Sequence, residues 1–187
     1  MKNCLLIDCY DSFTHKLAQS LEQTGLCRVT VLPHDKISTA DMALYDCFVL
    51  SPGPGLPHEY PGIFVLMSVL REKPVLGVCM GHQLMALYCG GSLAHLPDVV
   101  HGQKRRITFP VDDVLFADLP AGTTIGLYHS WHISRLPQQF SLLASSDENI
   151  VMAISHETYP WTGLQFHPES YMSSHGVQIL ANWIRSV

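Results

Sequence analysis

The sequence predicts one α/β domain, spanning residues 1–187, with a central, mostly parallel mixed sheet flanked by helices. In the first half of the chain, short apolar runs alternate with amphipathic segments, which is the pattern of strand–helix–strand units. In the second half, strand-like runs outnumber helices, which indicates antiparallel strands joined to the parallel ones. A chain of 187 residues with 47% apolar residues can bury the core that such a domain needs.

The elements of the first half are separated by turn-forming residues. Strands are predicted at 3–8, 28–32, 45–50 and 74–78, and helices at 12–23, 62–71 and 81–88. Leu17 and Leu21 have helical spacing in the first helix. Asp11 or Ser12 is the expected N-cap of this helix, and Gly25 follows its last turn.

The second half is predicted to contain five strands and one helix. The strands are expected at 106–109, 124–128, 140–145, 150–155 and 162–166, and the helix at 174–185. Four apolar residues at helical spacing define the expected buried face of this helix. They are Val177, Leu180, Ala181 and Ile184.

Composition and charge argue against several classes of protein. The formal net charge is −5 and Lys104–Arg106 is an isolated basic run, so nucleic acid is not an expected partner. No apolar stretch reaches the roughly 20 residues of a transmembrane helix. The apolar run 4–7 is too short for a signal peptide. We therefore expect a soluble, cytoplasmic protein with no membrane partner.

Six cysteines and eleven histidines raise the question of disulfides and metals. The cysteines form no Cys-x-x-Cys pair, and the histidines form no His-x-x-x-His or His-Glu-x-x-His motif. Several cysteines lie in apolar runs, where a thiol packs as a small hydrophobic side chain. We therefore predict reduced cysteines and no metal site.

The most informative local motif is Gly77-Val78-Cys79-Met80-Gly81, between a predicted strand and a predicted helix. Its glycines have the spacing of a nucleophile elbow, with cysteine in place of serine. The sharp turn leaves no room for a side chain at either glycine. It places the sulfur at a helix N-terminus, which favours a thiolate. Met80 N–H is the expected oxyanion donor. The alternative is that Cys79 is a buried core thiol, which would leave the paired glycines unexplained.

A thiol nucleophile needs a proton acceptor, and the segment His167-Pro168-Glu169 offers one at the end of a predicted strand. His167 is the predicted general base and acid, and Glu169 is predicted to orient its imidazole. On its own this segment is equally consistent with a surface turn. Other histidines compete for the role: His82, His101, His129 and His132. Of these, His82 lies inside the elbow helix and is expected to face away from the base position.

Three further segments can contact a small polar substrate. The loop 51–55 (Ser-Pro-Gly-Pro-Gly) follows the third strand, and a backbone N–H of Gly53 or Gly55 is the expected second oxyanion donor. This loop lacks the Lys-Ser/Thr of a phosphate-binding loop. Gln83, one helical turn after the nucleophile, and the segment 128–131 are candidates for substrate recognition. Each segment, taken alone, is also consistent with a structural role.

Together these motifs resemble those of class I glutamine amidotransferases, along nearly the whole chain. The matching motifs are 51–55 (Ser-Pro-Gly-Pro-Gly), 77–83 (Gly-Val-Cys-Met-Gly-His-Gln) and 166–170 (Phe-His-Pro-Glu-Ser). Three more narrow the resemblance to component II of anthranilate synthase and of aminodeoxychorismate synthase. They are 7–14 (Ile-Asp-Cys-Tyr-Asp-Ser-Phe-Thr), 101–102 (His-Gly) and 128–130 (Tyr-His-Ser).

The resemblance implies a glutaminase with Cys79, His167 and Glu169 as its triad. Cys79 would attack the side-chain amide of L-glutamine, form a glutamyl thioester and release ammonia. The glutamine-binding residues that the family implies are Gly53, Pro54, Gly55, Gln83, Ser130 and Trp131. Ammonia would pass to a separate chorismate-using synthase subunit, component I. That subunit would also hold the family's magnesium, so no cofactor is expected in this chain.

Five residues depart from the family pattern: Cys9 (usually Asn), Gln103 (usually Lys), Trp131 (usually Leu), His15 and Lys16. None belongs to the triad. Cys9 and Gln103 lie on loops that resemble the family's partner-facing and site-covering segments, so these two bear on the partner more than on glutamine hydrolysis. Three alternatives stay open: another Cys-dependent γ-glutamyl hydrolase, a class I amidotransferase of another pathway, and a non-catalytic regulatory subunit. The sequence does not distinguish tryptophan from folate precursor synthesis.

Overall fold

A computed structural model of the protein describes residues 1–109 and 113–187. The strands in this part of the chain are β1 (Lys2–Asp8), β2 (Cys27–Pro33), β3 (Cys47–Leu50), β4 (Val75–Val78), β5 (Ser92–Thr108), β6 (Thr124–Arg135), β7 (Phe140–Ser146), β8 (Val151–His156) and β9 (Trp161–Leu164). The α-helices are α1 (Thr14–Gln23), α2 (Pro61–Val69), α3 (Met80–Tyr88) and α4 (Gly176–Ser186). Short 3-10 turns lie at Thr39–Leu44, Pro57–Glu59 and Val114–Phe116.

The described strands form one sheet in the order β2-β1-β3-β4-β9-β8-β7-β5-β6. From β2 to β9 the neighbouring strands are parallel, and from β9 to β6 they are antiparallel. β3 and β4 are buried along their whole length, which explains their uninterrupted apolar sequences. The predicted α/β class with a mixed sheet is confirmed, with parallel pairing confined to one side of the sheet.

Two apolar clusters pack the helices onto the two faces of the sheet. Leu17 of α1 and Trp183 of α4 belong to the cluster on one face. Ile63 of α2 and Leu84 of α3 belong to the cluster on the other face. The sheet therefore has helices on both sides, and the central strands β3 and β4 are shielded from water.

The β5–β6 hairpin is much longer than the sequence predicts. β5 has 17 residues and β6 has 12, whereas strands were expected only at 106–109 and 124–128. The ladder shifts register near Ser92, between His95 and Val100, and between His101 and Gln103. Most of β5 is exposed or half-buried, so its sequence shows no apolar alternation. Pairing with β6, rather than burial of one face, defines this strand.

All four α-helices in the described part of the chain lie where they were predicted, with starts that differ by one or two residues, and the cap of α1 and the buried face of α4 also differ from prediction. α1 begins at Thr14, and neither Asp11 nor Ser12 is its N-cap; instead Asp11 Oδ1 accepts a hydrogen bond from Phe13 N–H over 2.8 Å in the preceding turn. In α4, Val177 is 37% exposed and does not belong to the buried face.

Three of the four residues predicted for the buried face of α4, Leu180, Ala181 and Ile184, are buried, and the face also includes residues that were not predicted. Ile179 and Trp183 belong to the core cluster, together with the predicted Leu180 and Ile184. Asn182 Nδ2 donates to Leu115 O over 3.2 Å and ties the helix to the 3-10 turn Val114–Phe116. This contact, which the sequence does not reveal, helps to set the rotation of the helix.

The carboxyl ends of the parallel strands meet at one edge of the sheet. The loops after β1 and β3, the turn after β4 and the segment after β9 all leave from this edge. In open α/β sheets this edge is the usual location of ligand sites. None of the helices in the described ranges is long and apolar enough to cross a membrane.

Candidate active site

The nucleophile candidate, Cys79, occupies a strained turn between β4 and α3. Its φ and ψ angles are 50° and −95°, a conformation that residues with a side chain rarely adopt. The backbone N–H of Cys79 donates a hydrogen bond to Leu164 O, at the end of β9, over 2.7 Å. The neighbouring parallel strand therefore holds the turn in place, with Cys79 at the N-terminus of α3.

Two glycines make this turn sterically possible. A Cβ added at Gly77 would lie 2.5 Å from the carbonyl carbon of Gly81 and 2.8 Å from His82 N. A Cβ added at Gly81 would lie 2.6 Å from Leu50 O in β3. Each of these atoms belongs to the backbone and cannot move aside cheaply. The prediction that a side chain at either glycine would collide with its neighbours is confirmed.

The acid–base pair, His167 and Glu169, lies on the segment that follows β9. His167 Nδ1 is 2.7 Å from Glu169 Oε1, and both side chains are buried. Burial lowers the pKa of His167, but the charge of Glu169 and the adjacent Cys79 thiol raise it, and the net pKa is well above the usual value. With Nδ1 donating to Glu169, Nε2 is the nitrogen available to the sulfur of Cys79.

Aromatic rings enclose the imidazole of His167 on its other sides. The ring centroids of Phe13 and Tyr128 lie 5.2 Å and 5.0 Å from that of His167, in edge-on arrangements. Phe13 also packs against Tyr128 at 4.9 Å. Tyr128 is fixed by a hydrogen bond of 3.0 Å between its hydroxyl and Ser170 Oγ. These rings limit the access of water to the pair and the orientations of the imidazole.

A cavity of about 490 Å³ opens in front of Cys79. It is large enough for one amino acid and has walls from the 51–55 loop, α3, β5 and β6. All of the residues predicted to bind substrate line it, and so does the predicted oxyanion donor. The lining residues are Gly53, Pro54, Gly55, Leu56, Glu59, Cys79, Met80, Gln83, His95, Tyr128, His129, Ser130 and Trp131.

A buried chain of amides connects this cavity to the sulfur. Gln83 Nε2 donates to Trp131 O over 2.8 Å and to Gln165 Oε1 over 3.2 Å. Gln165 Nε2 in turn donates to Cys79 Sγ over 3.7 Å. Sequence reasoning missed Gln165. β9 ends at Leu164, and Gln165 lies in the bend that follows, so no strand or helix periodicity in the sequence indicates its contact with Cys79.

The Gly53 segment is held against the loop that follows β1. A Cβ at Gly53 would lie 2.8 Å from Cys9 Cβ and 3.0 Å from Tyr60 Oη. Tyr60 Oη donates to Pro54 O over 2.7 Å, and Cys9 N–H donates to Ser51 Oγ over 2.8 Å. The unusual Cys9 therefore contacts the predicted oxyanion loop, and burial raises the pKa of its thiol to about 12. Sequence reasoning missed Tyr60.

The other departures from the family pattern are spread over the molecule. Gln103 lies within β5, where its Oε1 accepts a hydrogen bond of 2.6 Å from Arg105 Nη2. Trp131 lines the cavity and packs edge-on against His95 at 5.2 Å. Lys16 lies on the exposed side of α1, where its Nζ donates to the Gln19 side chain. Cys9 thus contacts the predicted oxyanion loop and Trp131 lines the cavity, whereas Gln103 and Lys16 are not among the residues that line it.

The competing histidines occupy other positions. The His82 ring lies against Gly163 of β9, where an added Cβ would be 2.7 Å from His82 Nδ1. His129 Nδ1 lies 2.9 Å from Trp131 O, and His132 Nδ1 lies 3.2 Å from Ile133 O. His101 packs edge-on against Tyr128. Of the five histidines considered, His167 is the one that pairs with a carboxylate within the described ranges.

Two of these histidines are expected to make the folded protein less stable in mild acid. Burial lowers the pKa of His82 to about 3 and that of His129 to about 4. In the unfolded chain both side chains would have a pKa of about 6.5. Unfolded protein therefore binds more protons below about pH 6.5, and each histidine lowers the free energy of unfolding by up to about 1.4 kcal/mol per pH unit. Both histidines lower the free energy of unfolding in the range from about pH 6.5 to about pH 4.

Urea denaturation of wild type and of a His82→Leu variant across this window measures the effect. His167 adds no slope here, because its raised pKa leaves it protonated in both states. We expect the variant to lose less stability on acidification, by up to about 1.4 kcal/mol per pH unit. Equal slopes for the two proteins would contradict the assignment of the acid sensitivity to His82.

The described residues contain no disulfide and no metal-ligand cluster. All six cysteines are free, and five of them are buried. Within 1–109 and 113–187, no group of three or more His, Cys, Asp or Glu side chains could hold a metal ion.

Comparison with known proteins places this site in a family. The family model described as glutamine amidotransferase class-I matches residues 5–187. A Haemophilus influenzae protein described as anthranilate synthase component II is 40% identical over 96% of this chain and 94% of its own length. An aminodeoxychorismate synthase from Streptomyces pristinaespiralis is 37% identical over 96% of this chain, which corresponds to 26% of that longer protein.

A solved structure agrees with the sequence matches. A Thermoplasma acidophilum protein, described as one subunit of GMP synthase, superposes with a TM-score of 0.88 and 28% sequence identity, over 99% of this chain and 93% of that one. The fold and the family model together define an α/β glutamine-dependent enzyme. The chain belongs to the glutamine amidotransferase class-I family, and the predicted resemblance is confirmed.

Proposed function

We propose that this chain is a glutaminase subunit that hydrolyses L-glutamine with Cys79, His167 and Glu169. The ammonia would be delivered to a chorismate-using synthase subunit that makes anthranilate or 4-amino-4-deoxychorismate. The observation that carries the proposal is the buried His167–Glu169 pair, 2.7 Å apart, beside a cysteine in a strained turn at the end of a cavity. Each triad residue has a definite task in the steps below.

The first half of the reaction forms a thioester. His167 takes the Cys79 proton, and the thiolate attacks the side-chain carbonyl carbon of glutamine, forming the S–C bond. The carbonyl electrons move to oxygen, where Met80 N–H, with Gly53 or Gly55 N–H, stabilises the oxyanion. On collapse the C–N bond breaks, and the imidazolium of His167 gives its proton to the departing nitrogen, so ammonia leaves.

The second half regenerates the enzyme. His167 accepts a proton from water, and the resulting hydroxide attacks the thioester carbon. The S–C bond breaks, glutamate forms, and the sulfur recovers its proton from the imidazolium. Glu169 stabilises the imidazolium in both halves, in agreement with the raised pKa of His167. The side chains of this chain thus account for every proton transfer, and we propose no cofactor here, with magnesium held by the synthase partner.

Glutamine recognition follows from the lining of the cavity. The hydrogen bonds of Gln83 Nε2 to Trp131 O and Gln165 Oε1 leave its Oε1 to accept from the α-ammonium group of glutamine. Trp131 O already accepts from Gln83 and lies 2.9 Å from His129 Nδ1. Ser130 and Trp131 would therefore contact substrate through their remaining atoms, opposite the segment Gly53-Pro54-Gly55.

The nature of the ammonia acceptor rests on the relatives. Identity is 40% to the Haemophilus influenzae component II protein and 37% to the Streptomyces aminodeoxychorismate synthase, against 28% to the GMP synthase protein. This favours a chorismate-using partner over a nucleotide pathway. We propose a reducing, cytoplasmic location, since the cysteines are free thiols.

The test is product formation with each candidate partner. We expect glutamine hydrolysis to be slow for the isolated chain and faster with its synthase subunit bound, because ammonia released into solvent is wasted. Purified chain is mixed with chorismate, glutamine and either candidate synthase subunit from the same source. Anthranilate, aminodeoxychorismate and glutamate are then quantified, with and without each partner.

Each outcome has a definite meaning. Product with one partner assigns the pathway, and product with both assigns a shared subunit. Glutamate formation without product from either partner would reject the chorismate assignment but keep the glutaminase. Equal rates of glutamine hydrolysis with and without the synthase subunit would contradict the expected activation of the glutaminase by its partner. Hydrolysis of γ-glutamyl peptides in place of glutamine would favour a γ-glutamyl hydrolase instead.

A further inference from the structure

We propose that Gln165 is a further catalytic residue, whose side-chain amide donates a hydrogen bond to the sulfur of Cys79 and stabilises its thiolate. The proposal rests on the function proposed above, in which Cys79 is the nucleophile. Gln165 is fully buried, and its Nε2 lies 3.7 Å from Cys79 Sγ, within hydrogen-bond distance for sulfur. The amide therefore contacts the atom that would form the new bond.

The backbone on both sides of Gln165 holds it next to the sulfur. Gln165 N–H donates to Met152 O of β8 over 2.9 Å, and His167 N–H donates to Gly126 O of β6 over 3.0 Å. Between them, the buried Phe166 packs into the main core cluster. Phe166 is directed into this core, whereas the Gln165 amide reaches Cys79 Sγ. The His167 side chain also interacts with the Cys79 side chain.

Hydrogen bonding also fixes which end of the Gln165 amide faces the sulfur. Trp131 O can only accept, so the nearby end of Gln83 must be its NH₂ group. The same NH₂ group donates to Gln165 across 3.2 Å, which requires Gln165 to present its Oε1 there. The NH₂ group of Gln165 is thus left for Cys79 Sγ.

The two neighbours of the sulfur have complementary chemistry. His167 can take the proton of Cys79, whereas a carboxamide neither gains nor loses a proton near neutral pH. The amide N–H can therefore donate to the thiolate at every stage at which the sulfur carries charge, without competing for the proton. A hydrogen bond to a charged group is stronger than one to a neutral group, so the amide favours the thiolate over the thiol.

The test uses two substitutions of similar size to glutamine. Gln165→Met removes the donor, and Gln165→Glu keeps the shape and the acceptor for Gln83 but places an acceptor against the sulfur. Both variants are assayed as complexes with the synthase subunit. The measurements are glutamine-dependent and ammonium-dependent product formation, and the rate of Cys79 alkylation by iodoacetamide as a function of pH. The matched control is Gln178→Met on α4, which removes a side-chain amide that donates to Ala117 O.

We expect both Gln165 variants to lower kcat with glutamine by about 10- to 100-fold. Alkylation of Cys79 near neutral pH should slow, and its pH midpoint should move upward. Ammonium-dependent product formation should stay at the wild-type level, which shows that the synthase subunit is active in every sample. Glutamine binding, measured by calorimetry in a Cys79→Ser background, should be little changed. Gln178→Met should match wild type throughout.

Other results would overturn the proposal. An alkylation profile of either Gln165 variant that superposes on wild type would leave Gln165 with a packing role only. A large loss of glutamine binding with unchanged alkylation would instead assign Gln165 to substrate binding through Gln83. Failure of the proposed function has a separate signature: Cys79→Ser would keep glutamine-dependent activity.

Discussion

Replacement of Cys79 by serine is expected to lower glutamine-dependent product formation by the complex at least about 1,000-fold. A serine hydroxyl in this position is a far weaker nucleophile, because His167 cannot hold it as an anion in the way it can hold a thiolate. The change removes no packing volume of consequence, since one sulfur is exchanged for one oxygen. Ammonium salts should still support product formation, because the substitution leaves the synthase subunit untouched.

A second cysteine provides the control for this experiment. Cys89, the C-cap of α3, is a half-buried free thiol that is not among the residues that line the cavity. Cys89→Ser makes the same atomic exchange and is expected to keep wild-type activity with glutamine and with ammonium. Retained glutamine hydrolysis in Cys79→Ser would contradict the proposed nucleophile. Loss of ammonium-dependent activity would point to a defective synthase subunit and would not bear on Cys79.

The second large effect is expected from Gly77→Ala. The added Cβ would lie 2.5–2.8 Å from backbone atoms of Gly81 and His82, which cannot move without shifting the start of α3. We expect the free energy of unfolding to fall by about 3 kcal/mol, measured by urea denaturation. Glutamine hydrolysis should fall as well, since the shift displaces Cys79 from the His167 side chain.

Gly62→Ala is the matched substitution in a site without this constraint. Gly62 lies near the start of α2, and nothing lies within 4 Å of an added Cβ. Alanine is the better helix former, so we expect a gain of about 0.5 kcal/mol with activity unchanged. If the two variants were equally stable, the steric account of the elbow would be wrong.

The elbow shows what sequence patterns predict well. Glycines on both sides of Cys79, between an apolar strand and a helix, indicated a turn too tight for side chains, and the close contacts at Gly77 and Gly81 are as expected. The central parallel strands β3 and β4 were also predicted to within two residues, because strands buried on both faces are apolar along their whole length. In both cases the constraint is local, so the sequence carries it directly.

The errors occurred where a distant partner defines the structure. β5 and β6 extend far past their predicted ends because they pair with each other, although β5 is largely exposed and lacks apolar alternation. In α4, the exposed Val177 was assigned to the buried face, whereas Trp183 occupies the core. Helical periodicity alone predicted the rotation of α4 about its own axis only to within about one residue position.

The sequence by itself determined the fold class, the nucleophile candidate and the His167–Glu169 candidate pair. The fold class follows from the order of strand and helix patterns along the chain, whereas each candidate depends on residues within a few positions of one another, which local backbone geometry links. The tertiary structure alone decided that Phe13, Tyr60 and Gln165 contact the site. These residues come from three separate segments, and their contacts with Tyr128, Pro54 and Cys79 exist only once the strands have aligned.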